Sequence, residues 1–99
     1  MITVIAKIKI KQGSEGTFET EAQKVIEFVK ANEPETLMYL LSRSKDDPTI
    51  FVFFESYASA EALTAHGASD AMKQFGSAIR RLLDGRPQIE KYDDLGGKR

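Results

Sequence analysis

The stretch from Phe51 to Phe75, FVFFESYASAEALTAHGASDAMKQF, decides the fold because it joins an apolar strand to a helix carrying the only histidine of the chain. Its first seven residues are rich in aromatic and β-branched side chains, as strands are. Ser59 then stands at the position of a helix N-cap, and Gly67 can end the short helix that follows. Met72 and Phe75 belong to a further helix. The stretch therefore predicts a strand and a broken helix, with the histidine beside the sheet.

The rest of the chain supplies a long helix and three more strands. Apolar and polar residues alternate over positions 1–11, MITVIAKIKIK, which predicts a strand with one apolar face. A helix follows, with Ser14 as candidate N-cap and its end near Asn32. Thr36–Ser44 and Arg86–Tyr92 are predicted as strands, the first joined by a polar hairpin loop to the strand that ends at Tyr57. The order β-α-β-β-α-β predicts an α+β, ferredoxin-like fold with an antiparallel sheet.

Length and composition indicate one domain. The chain has 99 residues, of which 41% are apolar and 29% charged, an ordinary globular composition. We expect residues 1–93 to form the domain and residues 94–99 a flexible tail. No apolar run approaches the roughly 20 residues of a membrane-spanning helix, and we expect neither a secretion signal nor membrane association. The absence of cysteine excludes disulfides and fits a cytoplasmic protein.

The middle hairpin is apolar on both of its faces. In its first strand Leu37, Tyr39 and Leu41 are expected on one side and Met38 and Leu40 on the other. In its second strand Ile50, Val52 and Phe54 are expected opposite Phe51 and Phe53. The helices can cover only one face, and a large exposed apolar patch is unusual on a monomer. Covering the second face is worth on the order of 10 kcal/mol before association costs. We therefore expect a homodimer in which a second copy covers it.

In layout the chain resembles the antibiotic biosynthesis monooxygenase family. Members of that family show an aromatic-rich strand ending in Glu, an aromatic residue shortly after it, then Ala-Leu and a His before a Ser. The corresponding residues here are Glu55, Tyr57, Ala62, Leu63, His66 and Ser69. Family members form homodimers in which two sheets close into a barrel, so the resemblance implies a dimeric α+β barrel.

The resemblance also implies oxygenation without a cofactor or a metal. Such proteins act on quinols and other hydroxylated aromatic molecules, whose deprotonated form can itself give an electron to dioxygen. This chemistry needs a dry apolar pocket, a base for the phenolic proton and a hydrogen-bond donor for the developing oxyanion. His66 would be the base and Tyr57 the donor. The substrate site would be lined by Tyr39, Phe53, Met72 and Phe75.

Each of these residues also has a purely structural interpretation. His66 lies on the helical stripe expected to face the sheet, but it could equally be a last-turn residue stabilised by the helix dipole. Strand tyrosines commonly fill cores, and the phenylalanines are packing residues first. Glu55 is expected to be partly buried with a raised pKa, or to pair with a strand lysine. Arg43 could hold an anionic substrate or be a solvated strand end.

Other functions use the same fold. A ligand-binding module without turnover, or a cofactor-free isomerase acting on a keto or phosphorylated substrate, is open on the sequence. Haem-degrading relatives carry a tryptophan and an axial histidine, whereas this chain has no tryptophan and places Gly76 at the ligand position. Ala71 stands where many quinol-oxidising relatives show a second histidine. RNA binding is disfavoured because the net charge is −1 and the first strand lacks the aromatic residue of an RNA-recognition motif.

Overall fold

The computed structural model describes residues 1–98 and shows one antiparallel sheet in the order β2-β3-β1-β4, with all helices on one face. The strands are β1 (Ile2–Lys9), β2 (Thr36–Arg43), β3 (Ile50–Tyr57) and β4 (Gln88–Asp93). The helices are α1 (Glu15–Asn32), α2 (Ala60–Ala68) and α3 (Asp70–Ile79), and a 3₁₀ turn at Arg80–Leu82 follows α3. The predicted α+β, ferredoxin-like fold is confirmed.

The core lies between the sheet and the helices. Val4, Ala6 and Ile8 of β1 alternate with more exposed residues and are almost inaccessible, as the sequence predicts. On α1 the buried residues recur at helical spacing and include Phe18 and Val25. The ring centroid of Phe18 lies 4.6 Å from that of Phe51 on β3 and 5.9 Å from that of Phe75 on α3. This aromatic contact joins α1, β3 and α3 in one core.

The start of α1 differs from the prediction. Ser14 does occupy the N-cap position, but its side chain forms no cap hydrogen bond. Instead the backbone N–H of Gly13 donates to the carboxylate of Glu15 at 2.6 Å. Gly13 adopts a φ of 95°, a conformation that glycine accepts without steric cost, so the predicted turn is present.

The sequence predicts that Gly67 ends the helix after Ser59, but α2 continues to Ala68 and Ser69 forms the junction with α3. The Ser69 hydroxyl donates to the carbonyl of His66 at 2.8 Å and accepts from the backbone N–H of Met72 at 3.2 Å. One serine thus closes α2 after Ala68 and caps the start of α3. Because that bond runs to the backbone of His66, the junction also fixes the position of the histidine.

The outer face of the sheet carries exposed apolar side chains, as the sequence predicts. Ile5, Phe54 and Leu40 are cross-strand neighbours at its centre, and Leu40 is 54% exposed. Leu37 was expected on the same side of the strand as Tyr39, but that prediction is wrong. A β-bulge between Thr36 and Met38 inserts one extra residue, so Leu37 and Met38 line the same depression on the outer side.

The last strand begins at Gln88, two residues after the predicted start at Arg86, and it continues to Asp93. The backbone N–H of Asp94 then donates to the carbonyl of Met1 at 3.0 Å, and the Thr3 hydroxyl donates to the Asp94 carboxylate at 2.5 Å. The chain thus stays attached to β1 just past the predicted end of the domain. The division into residues 1–93 and a tail of residues 94–99 stays a prediction, and Arg99 lies outside the described residues.

Candidate functional site

A buried polar cluster lies where the last turn of α2 meets one end of the sheet. We define it as Glu33, Glu55, Tyr57 and His66. His66 is 4% exposed, Glu55 is 6% exposed and Tyr57 is inaccessible. Polar groups removed from water are destabilising unless they are hydrogen-bonded. The bonds within this cluster therefore decide what each group can do.

His66 is held by the carboxylate of Glu33. Its Nδ1 lies 2.9 Å from Oε1 and 3.1 Å from Oε2 of Glu33. Because an ionised carboxylate can only accept, Nδ1 carries the hydrogen and the neutral ring keeps its lone pair on Nε2. Within residues 1–98 Nε2 forms no hydrogen bond. The ring is therefore oriented at one nitrogen and free to accept a proton at the other.

Glu33 is itself fixed in place at the end of α1. Its backbone N–H donates to the carbonyl of Val29 at 3.0 Å, and its carboxylate accepts from the Thr36 hydroxyl at 2.7 Å. The sequence reading missed Glu33 because a glutamate before a proline at a helix end looks like a solvated cap. Only the tertiary fold, which places the C-terminal end of α1 next to the last turn of α2, brings it to His66.

Glu55 and Tyr57 form the second half of the cluster. They point inward from β3, and the Tyr57 hydroxyl donates to Oε1 of Glu55 at 2.5 Å. Burial raises the pKa of Glu55, although the bond from Tyr57 and the nearby His66 oppose that rise. Burial first, and then the bond to Glu55, raise the pKa of Tyr57 above its usual range. The predicted burial of Glu55 is confirmed, and its partner is Tyr57 instead of a lysine.

Glu55 is expected to make stability fall as pH rises. A carboxyl whose pKa is raised by folding binds its proton more tightly when folded, so its contribution is complete below the ordinary pKa of 4.5 and is lost as pH rises through the folded pKa. Glu55→Gln keeps an acceptor for Tyr57 and removes this titration. We expect the free energy of unfolding of wild type, minus that of Glu55→Gln, to decrease from about pH 4 to about pH 8 in urea titrations.

The matched control for that measurement is Glu27→Gln, which alters an exposed carboxylate on α1 paired only with Lys30. Its difference curve should be the flatter of the two. Subtracting the two unfolding free energies also removes most of the pH dependence that comes from His66 and Glu33, because both residues face position 55 in both proteins. A wild-type minus Glu55→Gln difference that is constant or rises with pH would contradict the assignment.

Of the four predicted substrate-site residues, Tyr39 contacts this cluster and connects it to the other three. The ring of Tyr39 is 5.0 Å from that of His66 and 5.0 Å from that of Phe53, centroid to centroid. The Tyr39 hydroxyl lies 3.8 Å from the sulfur of Met72, and the rings of Phe53 and Phe75 are 6.0 Å apart. The Tyr57 and His66 rings are 5.5 Å apart. All six predicted residues are thus contiguous, and Phe53 and Phe75 are packed in the core.

A cleft of about 400 Å³ opens to solvent beside His66. Its walls are the end of α1, the turn at residues 33–36 and one side of α2, and its apolar lining includes Phe28, Pro34 and Ala65. His66 is the only one of the predicted site residues that lines it. The histidine therefore stands between an open cleft and a closed aromatic cluster.

Arg43 lies far from His66. It pairs across the hairpin with Phe51, at the opposite end of β2 from the polar cluster, and its guanidinium is 3.8 Å from the carboxylate of Glu19. This exposed position fits the solvated strand end among the two interpretations. The structure gives Arg43 no part in the site at His66.

The comparison with known proteins identifies the family. The sequence pattern of the antibiotic biosynthesis monooxygenase family matches residues 1–78. The chain belongs to this family. The crystal structure of a candidate antibiotic biosynthesis monooxygenase from Caulobacter crescentus is 37% identical and superposes with a TM-score of 0.92, covering 96% of this chain and 90% of that one. No functionally curated protein matches the sequence.

More distant members of the antibiotic biosynthesis monooxygenase family share the fold. A candidate from Nitrosomonas europaea is 21% identical, with a TM-score of 0.91 over 97% of this chain and all of that one. Another from Deinococcus radiodurans is 19% identical, with a TM-score of 0.84 over all of this chain and 97% of that one. Family membership supports a general monooxygenase-like function with a small molecule as ligand.

Two further features concern the described residues as a whole. No helix within residues 1–98 is long and apolar enough to cross a membrane. Among the same residues, no group of three or more histidine, aspartate or glutamate side chains could hold a metal ion.

Proposed function

We propose that this protein is a cofactor-independent monooxygenase that acts on quinols or other hydroxylated aromatic small molecules, with His66 as the catalytic base. The position of His66 supports this function. His66 is almost fully buried, its Nδ1 is bound by the carboxylate of Glu33, and the histidine lines a cleft that a small molecule can enter. Membership of the monooxygenase family supports the reaction class.

The first step is the transfer of a phenolic proton to Nε2 of His66. A neutral imidazole whose other nitrogen donates to a carboxylate is well suited to this, because Glu33 stabilises the imidazolium that forms. The resulting phenolate is electron-rich and passes one electron to dioxygen, giving a phenoxyl radical and superoxide while His66 keeps the proton. The new N–H of the imidazolium then lies against the oxygen that has lost its proton.

Tyr57 is proposed as a second donor to that oxygen. In the structure its hydroxyl donates to Glu55. The raised pKa of Glu55 favours the protonated carboxyl, which can donate to the Tyr57 oxygen in return. The Tyr57 O–H is then released for a ligand, so the pair can exchange one hydrogen bond for another without leaving a buried group unpaired.

The substrate ring is proposed to lie between the cleft and the aromatic cluster, with Tyr39, Phe53, Met72 and Phe75 as its walls. Phe53 and Phe75 are fixed in the core, whereas Tyr39 and Met72 are only partly buried. The long contact between the Tyr39 hydroxyl and the Met72 sulfur is weak, and methionine adapts to irregular space. These two side chains are the ones that would move to admit a ring.

We also propose that the working form is a homodimer. The outer face carries Leu40 and Phe54 at its centre, where water contacts both. Two such faces can pack about 10 Å apart, with the side chains of one sheet fitting between those of the other. The apolar side chains of Ile5, Phe54 and Leu40, which are cross-strand neighbours on this face, can contribute to a self-complementary interface.

Oxygen uptake with a panel of quinols tests the function. We expect consumption above autoxidation that depends on the amount of protein and saturates with quinol. Ligand binding in a thermal-shift screen with no oxygen uptake would instead favour a non-catalytic ligand-binding module.

A non-catalytic module is the second candidate function, and Ala71 favours it. Ala71 packs against the core at the position where many quinol-oxidising relatives carry a second histidine. Turnover of a substrate in the absence of oxygen would select the isomerase.

A further inference from the structure

We infer that the cleft beside His66 selects uncharged hydroxylated aromatic molecules and discriminates against those that carry a negative charge, such as carboxylated, sulfonated or phosphorylated rings. This inference rests on the proposed function for its choice of aromatic ligands. It goes further by naming the charge that the site accepts.

The charged groups that line the cleft are almost all negative. Three carboxylates line it, those of Glu33, Glu35 and Glu61. Among residues 1–98 no lysine or arginine belongs to the lining, and the one group able to become positive, His66, is bound by Glu33. Glu55 lies behind the histidine, where burial raises its pKa, and it supplies no positive charge either. A negatively charged ligand would therefore meet like charge and no free cation.

The positions of these carboxylates are built into the fold. Two backbone hydrogen bonds fix the turn that carries Glu33 and Glu35. The N–H of Thr36 donates to the carbonyl of Glu33 at 3.1 Å, and the N–H of Ala58 donates to the carbonyl of Glu35 at 3.0 Å. Glu61 lies in the first turn of α2. The Ser59 hydroxyl already accepts the Ala62 N–H there at 3.1 Å, so this helix start offers little to an anion.

The reaction itself supplies the second reason. Removal of the phenolic proton creates one negative charge in the site, and the imidazolium of His66 balances it. A ring that arrives with its own carboxylate brings a second negative charge, and the pair formed by His66 and Glu33 has nothing left to balance it. Binding and proton transfer would both disfavour such a substrate.

Two ligands of the same shape separate charge from size. The probes are 2,5-dihydroxybenzamide, which is neutral, and 2,5-dihydroxybenzoate, which is an anion, each titrated calorimetrically under anaerobic conditions. We expect the amide to bind at least about tenfold more tightly at low salt, with the ratio of dissociation constants narrowing as salt is added, because exposed like charges are screened. Equal affinities, tighter binding of the benzoate or no binding of either compound would overturn the inference.

Variants test whether the rim carboxylates cause the preference. The double variant Glu35→Gln, Glu61→Gln should reduce the amide-to-benzoate ratio at least about threefold at low salt. The matched control is Asp46→Asn, Asp84→Asn, which also removes two negative charges but at the opposite end of the sheet, where Asp84 lies 3.9 Å from Lys9. That control should leave the ratio as in wild type. An equal change in both double variants would show a general charge effect and refute the assignment to the cleft.

Oxygen uptake separates this inference from the proposed function. A preference for the amide in binding, without oxygen uptake from any quinol, would uphold the selectivity and refute the monooxygenase. Uptake with equal kcat/KM for both compounds would uphold the monooxygenase and overturn the selectivity.

Discussion

His66→Ala is expected to lower the kcat/KM of quinol-dependent oxygen uptake about 100-fold or more, because positioned general bases commonly contribute that much. The variant removes the only nitrogen that can accept a proton beside the cleft. Glu33→Gln should cause a smaller loss, since the amide still accepts from Nδ1 but no longer stabilises an imidazolium. Oxygen-electrode kinetics on the purified variants measure both effects.

The controls must separate lost chemistry from lost structure. His66→Ala leaves the carboxylate of Glu33 with the Thr36 hydroxyl but without its histidine partner, so the fold of the variant must be verified by circular dichroism and urea titration. Added imidazole should restore part of the activity of His66→Ala, and it should not raise the activity of Glu33→Gln. Thr64→Ala, on the exposed side of the same helix, should behave as wild type. An unchanged kcat/KM in His66→Ala would remove the histidine from the mechanism.

Leu40→Glu is expected to convert the proposed homodimer into a monomer. The change places a charge at the centre of the outer apolar face, where a second copy would have to bury it unpaired, and it should raise the dissociation constant about 100-fold or more. Because Leu40 is half exposed in the single chain, the protomer should stay folded. Sedimentation at micromolar concentration should give about twice 11.0 kDa for wild type and about 11.0 kDa for the variant.

Ile89→Glu is the matched control for the interface. Ile89 is also exposed, but it pairs with Ala6 and therefore lies on the helix side of the sheet. The Ile89→Glu variant should therefore stay dimeric. Dissociation by Ile89→Glu and not by Leu40→Glu would move the interface to the edge at β4, and a wild-type mass near 11.0 kDa would exclude the dimer altogether.

Part of the site could be predicted from the sequence because it follows from repeating patterns. The spacing of His66 from Ala62 and Leu63 predicts a side chain turned toward the sheet, and the histidine is buried there. Alternation on β3 likewise brings Phe53, Glu55 and Tyr57 to one face. What these patterns cannot give is the partner of a polar group. Glu33 and His66 are 33 positions apart, and no pattern in the sequence around either residue indicates that the two are in contact.

The sequence by itself determined the ferredoxin-like order of elements, the inward face of each helix and the apolar character of both faces of the middle hairpin. Only the tertiary structure decided that Glu33 holds His66, that Tyr57 donates to Glu55 and that a bulge turns Leu37 outward. The physical reason lies in the range of the interactions. Apolar burial is summed along an element and leaves a periodic trace, whereas a hydrogen bond depends on distances within a few tenths of an ångström that only the packing of separate elements sets.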